Sequence, residues 1–125
     1  MKESDLHRQV CEYLKIQYPK VLFNTDMSGI RLTIGQAIQA KRLRSGNGFP
    51  DLMILEPRGA YCGLFIELKK ETPYLKSGLL KHDKHLAEQE IMISELVKRG
   101  YFATFAWKFE HCKMIIDVYL TKNLE

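Results

Sequence analysis

Along this chain the spacing of apolar residues changes period several times, and each change marks an element. Leu6, Val10, Tyr13 and Leu14 recur every three or four residues behind the candidate caps Ser4 and Asp5, predicting a helix that ends before Pro19. Residues 21–23 are a short β-prone run, and the polar stretch 24–31, containing Ser28-Gly29, reads as a loop. A short helix is expected over 34–43, ending in the basic cluster Lys41-Arg42-Leu43-Arg44, and Ser45-Gly46-Asn47-Gly48 then turns the chain into Pro50. The apolar runs 52–55 and 64–68, joined by a turn at Pro57-Arg58-Gly59, predict strands inside a sheet covered on both faces. Between Lys70 and Lys84 a lysine-rich stretch with Pro73 and Gly78 is expected to be a surface loop. A long helix is predicted over 83–99, with Leu86, Ile93, Leu96 and Val97 as its apolar stripe and Gly100 as its stop. Residues 101–107 read as a strand, and 109–120 as a closing helix carrying Met114, Ile115, Val118 and Tyr119 near Cys112. The order α, β, α, β, β, α, β, α predicts a mixed α/β domain, a central sheet with helices on both faces.

Composition narrows this only a little. A chain of 125 residues holds one domain (1–125), too small for a catalytic core plus a separate recognition domain. Its net charge of +4 fits a polyanionic partner without specifying one. No apolar run has the length of a membrane span, and the start, Met1-Lys2-Glu3-Ser4-Asp5, lacks the apolar segment of a signal peptide, so a cytoplasmic protein is expected. Cys11, Cys62 and Cys112 lie about fifty residues apart and read as reduced, mostly buried thiols. No P-loop, dinucleotide fingerprint or zinc-finger spacing is present.

The candidate chemistry gathers at two strands. Gly48-Phe49-Pro50-Asp51 is followed, sixteen residues after the aspartate, by Glu67-Leu68-Lys69 within an apolar run. A strand projects positions i and i+2 to one face, so Glu67 and Lys69 point together while Ile66 and Leu68 point into packing. A carboxylate in an interior strand is costly without a partner. A salt bridge to Lys69 would supply one, as would a divalent cation shared with Asp51. For that cation, hard oxygen ligands select Mg²⁺ or Mn²⁺, and the Leu68 carbonyl is a further candidate ligand. Lys69 could then orient a water or neutralise charge on a phosphate. Asp51 alone would equally start a strand as an Asx turn.

Gln89 falls in the middle of the apolar stripe of the long helix, either satisfied structurally or facing the metal site. Glu3 is either an acid favoured at a helix N-terminus or a carboxylate reaching the metal through water. Arg31, Lys41, Arg42 and Arg44 on one side, with Lys70, Lys76, Lys81 and Lys84 on the other, are a solvated face or a track for phosphates. His82 and His85 have metal-ligand spacing but no third ligand nearby.

Taken together, Gly48-Phe49-Pro50-Asp51, Phe65-Ile66-Glu67-Leu68-Lys69, and Glu88-Gln89 in a helix ending Arg99-Gly100-Tyr101 resemble the virus-type replication-repair nucleases, the VRR-Nuc branch of the PD-(D/E)xK superfamily. The likeness runs from Glu3 through Ser28-Gly29 to Ile115-Ile116-Asp117-Val118-Tyr119-Leu120, and the short, stand-alone form is similar to those of phages and prophages. It implies a restriction-endonuclease-like core and Mg²⁺- or Mn²⁺-dependent cleavage of DNA. Asp51 and Glu67 would be metal ligands, Lys69 the catalytic lysine, and Glu3 and Gln89 supporting residues. It further implies a homodimer that cuts four-way junctions. The alternatives are a nuclease for flaps, ends or linear duplex, and a nuclease-like module that binds DNA without cutting. Two departures stand out: a longer, more basic stretch over 71–84, and Lys108 where a glycine often follows the last strand.

Overall fold

The computed structural model describes residues 2–26 and 33–122. It orders the elements as α1 (Glu3–Gln17), β1 (Phe23–Thr25), α2 (Ile34–Arg42), β2 (Leu52–Ile54), β3 (Leu64–Lys69), α3 (Lys84–Lys98), β4 (Phe102–Trp107) and α4 (Lys108–Thr121). Arg31 and the Ser28-Gly29 pair lie outside the described residues. Among the described residues no helix is long and apolar enough to cross a membrane.

The strands form one mixed sheet in the order β1-β2-β3-β4. β1, β2 and β3 pair antiparallel, and β3 pairs parallel with β4 across the α3 crossover. The interior β3 separates two cores by its pleat. Leu64, Ile66 and Leu68 point to one side with Leu52, Ile54 and Ala106, under Leu6, Val10 and Leu14 of α1 and Cys112, Ile116, Tyr119 and Leu120 of α4. Phe65 points the other way and packs with Ala103 and Leu96, flanked by Met53, Met92, Ile93 and Tyr101. Glu67 and Lys69 share the face of Phe65, the face that α3 covers. Each fully buried Leu or Ile contributes about 1.5–3 kcal/mol, so the two faces hold β3 firmly on both sides.

Several expectations shift. β1 begins at Phe23 and not at residue 21, although the Leu22 carbonyl still accepts from Leu55 N–H at 2.8 Å. Val97 is 52% exposed, and the covered stripe of α3 runs instead through the half-buried Leu86, Met92 and Ile93 to the buried Leu96. On α4 the buried positions are Cys112, Ile116, Tyr119 and Leu120, whereas Met114 and Val118 face outward. That helix is apolar on most sides, so composition alone did not choose its face. Cys112 is buried as expected, but Cys62 is exposed.

The stretch between β3 and α3 is more ordered than a plain loop, with Tyr74 and Leu80 paired as an antiparallel bridge. Lys108 has φ 61, in the left-handed region. A glycine would adopt it freely, and a lysine there costs about 1–2 kcal/mol.

Candidate active site

Antiparallel pairing of β2 with β3 sets Leu52 opposite Ile66, so Asp51, one residue before β2, lies beside the end of β3. Its Oδ2 accepts a hydrogen bond from Leu68 N–H at 2.9 Å. A strand residue turns its N–H and C=O to the same edge, so the Leu68 carbonyl faces the side on which Asp51 sits. On the α3 face of β3, Lys69 Nζ lies 3.8 Å from Glu67 Oε2. Glu67 is only 5% exposed, the single buried charged residue among the described residues. Burial first, and then the neighbouring negative charge of Asp51, push the Glu67 carboxyl far above the usual carboxylate range, with Lys69 pulling the other way. Two acids held this close without full compensation are poised to share a cation.

Gly48 sets how the aspartate meets α3. Its φ is +82, and a Cβ there would lie 2.8 Å from the Glu88 carbonyl oxygen and 3.0 Å from Gln89 N. Only glycine combines that backbone conformation with such close contact. The turn before Pro50 is thereby pressed against the helix that carries Gln89. Gln89 Oε1 is buried and has no hydrogen-bond partner among the described residues. It borders a cavity of about 430 Å³, whose lining also includes Asp51, Glu67, Lys41, Arg44 and His85.

Two further cavities extend this centre. Glu3 borders a niche of about 130 Å³ with Ser4, His7, Asp51 and Leu68. It also borders a cavity of about 450 Å³ with Lys69, Lys70, Lys81, His82 and His85. The structure thus brings Asp51, Glu67, Leu68, Lys69, Gln89 and Glu3 to one end of the sheet. Lys41 and Arg44 flank them on one side and Lys70 on the other, while Arg42 is exposed and borders none of these cavities. Arg44 is already paired with Asp26 at 2.8 Å.

Sequence reasoning missed His7, which hydrogen-bonds Thr25, and Asp26. His7 falls one helical turn after Glu3, and that spacing was the available signal. It also set His85 aside, although His85 borders both larger cavities.

Among the described residues no group of three His, Cys, Asp or Glu side chains forms a ready-made metal cage. The donors are two carboxylates with a backbone carbonyl and an amide oxygen beside them. Such an all-oxygen set suits a hard divalent cation that keeps several of its waters.

An open mixed sheet flanked by helices, with an acid pair and a lysine at one strand end, defines a nuclease fold of the PD-(D/E)xK type. No protein-family model matches the chain, and comparison with curated proteins gives no match. A solved structure described as a VRR_NUC domain protein superposes with a TM-score of 0.71 and 26% identity, covering 96% of this chain and 88% of that one. A second, described as a VRR_NUC domain, gives a TM-score of 0.51 at 22% identity over 91% of this chain and 97% of its own, a likeness of fold alone. These likenesses support a VRR-Nuc domain.

Proposed function

We propose that this domain is a divalent-metal-dependent, structure-selective DNA endonuclease that nicks four-way junctions as a homodimer. The observation that carries the reading is the buried Glu67 carboxylate, drawn together with Asp51 and Lys69 at one sheet end of a VRR-Nuc fold. Asp51, Glu67 and the Leu68 carbonyl would hold Mg²⁺ or Mn²⁺, with Glu3 supporting from α1. When bound, the cation supplies charge neutralisation and a water of lowered pKa.

The remaining work belongs to the chain itself. Lys69 offsets negative charge growing on the scissile phosphate and orients the attacking water. The unpartnered Gln89 Oε1 would accept a hydrogen bond from that water. Lys41, Arg42, Arg44 and Lys70 carry the phosphate backbone past the centre by charge and geometry, without base contacts. A two-fold pair of sites matches the symmetry of a four-way junction.

The direct test is cleavage of a labelled four-way junction beside its matching linear duplex, with Mg²⁺, with Mn²⁺ and with EDTA. Paired metal-dependent nicks in the junction, abolished by Lys69→Ala, are expected. Cutting of flaps or linear DNA instead would keep the chemistry and discard the junction. Tight binding without cutting under any metal would make the domain a non-catalytic DNA module.

A further inference from the structure

The chain between β3 and α3 builds a small hairpin beside the candidate active site. Tyr74 and Leu80 pair across it. Lys81 N–H donates to the Pro73 carbonyl at 2.9 Å, Leu75 N–H to the Leu79 carbonyl at 2.8 Å, and Gly78 N–H to the Leu75 carbonyl at 2.9 Å. Gly78, at φ +88, supplies the left-handed residue such a tip needs. The base is anchored. Pro73 is buried, and the Tyr74 ring stands edge-on to Phe105 at 6.1 Å and to Trp107 at 5.9 Å. The tip is therefore held rigidly off the end of β4.

What the tip presents is apolar. Leu75 and Leu79, opposite one another, are 43% and 69% exposed. Lys76 lies between them in the chain, and Lys70 and Lys81 line the cavity below together with Lys69. A protruding pair of leucines, with Lys76 between them and Lys69, Lys70 and Lys81 on the cavity below, which Glu3, Glu71 and Asp83 also line, is a small hydrophobic edge flanked by ammonium groups. The DNA base step has the complementary form, flat apolar faces between two phosphate rails. A lipid surface would call for a broader apolar face than two side chains provide.

We propose that the hairpin 73–81 is a wedge: Leu75 and Leu79 enter an opened base step at a DNA branch point while the surrounding lysines hold the flanking phosphates. The proposal rests on the nuclease reading for its substrate. It adds the element that would select branched over linear DNA, because a base step at a branch point is already partly unstacked and costs less to open.

The test places 2-aminopurine next to the branch point of a four-way junction and reads its fluorescence on binding in EDTA, where nothing is cut. The wild-type protein is expected to raise the signal. The double variant Leu75→Ser/Leu79→Ser should lose that rise, and its preference for junction over linear duplex in binding should fall about tenfold. The thermal midpoint of the variant should stay within a degree or two of the wild type, since both side chains are exposed.

A variant that unstacks the junction and discriminates as the wild type does would overturn the wedge. So would wild-type binding without any fluorescence rise, or a variant whose main change, seen by sedimentation, is loss of self-association. The two readings fail separately. Unstacking without cutting in any metal sinks the nuclease and leaves the wedge, whereas metal-dependent cutting without unstacking does the reverse.

Discussion

Glu67 is placed where a carboxylate is least comfortable, inside β3, under α3 and against another acid. The fold tolerates the position at a cost, because Lys69 at 3.8 Å offsets only part of the burial and repulsion. Glu67→Gln keeps the shape and the neutral form that burial favours, and removes the cost of holding an ionisable acid there. In metal-free buffer it is therefore expected to raise stability by about 1–2 kcal/mol and the thermal midpoint by about 3–8 °C, while abolishing cleavage. Adding Mn²⁺ should raise the midpoint of the wild type and leave that of the variant unmoved. Thermal melts in EDTA and in Mn²⁺ decide it, and a variant less stable than the wild type in EDTA would refute the account. The convergence was legible at this scale because strand period fixes i and i+2 on one face, and an acid amid Phe65, Ile66 and Leu68 is a conspicuous anomaly. Asp26, which pairs with Arg44 beside the cavity, was not legible. Nothing local distinguishes that aspartate from any polar loop residue.

At the scale of elements, α1 and α4 are joined by more than packing. Asp117 of α4 accepts hydrogen bonds from the Tyr13 and Tyr18 hydroxyls and from Lys113. Burial alone would raise its carboxyl, but those three hydrogen bonds outweigh it and hold the group below its ordinary value of 3.8. The folded state therefore takes up its proton at lower pH than the unfolded state does. The stabilisation is complete above the ordinary carboxylate value and is lost as pH falls through the depressed folded one. Asp117→Asn should cost about 1–2 kcal/mol near neutral pH, a penalty that shrinks toward zero in strong acid. Urea melts of both proteins between neutral pH and about pH 3 measure it, and a penalty that did not change with pH would refute the role. Element type was readable almost throughout, because Leu6, Val10 and Leu14 keep helical spacing and 64–68 is a continuous apolar run. Helix faces were harder. Ile115, Ile116, Val118 and Tyr119 surround much of α4, and only the sheet beneath decides which are covered. The hairpin over 73–81 was read as plain loop because its anchor, Tyr74 on Phe105 and Trp107, joins residues about thirty apart in the chain.

Across the whole molecule, strand order is the feature no local pattern supplies. Nothing in β2 says that it pairs antiparallel with β3, or in β4 that it lies parallel on the other side. The family resemblance implied a restriction-endonuclease-like core but not this order, which the structure supplies through the register of Leu52 on Ile66 and Glu67 on Phe105. The same topology gathers charge that the sequence scatters. Lys41 borders one cavity and Lys70 the other, with the acid pair between them, although the two lysines are far apart in the chain. Lys41 and Lys70 thus stand on opposite sides of the acid pair, in cavities that Lys69, Lys81 and Lys84 also line alongside several acids. On the proposed reading, this placement makes binding depend on counterion release at a few identifiable positions. Lys41→Gln/Lys70→Gln should weaken binding to junction and linear duplex alike and reduce the slope of log K against log salt by roughly one for each phosphate no longer neutralised. Arg44 is the poorer probe, because its partner Asp26 would be left uncompensated beside the cavity. Titrations at several salt concentrations read the slope. An unchanged slope would move the DNA to another face, and a change confined to junctions would mean that these lysines read branch geometry as well as phosphate charge.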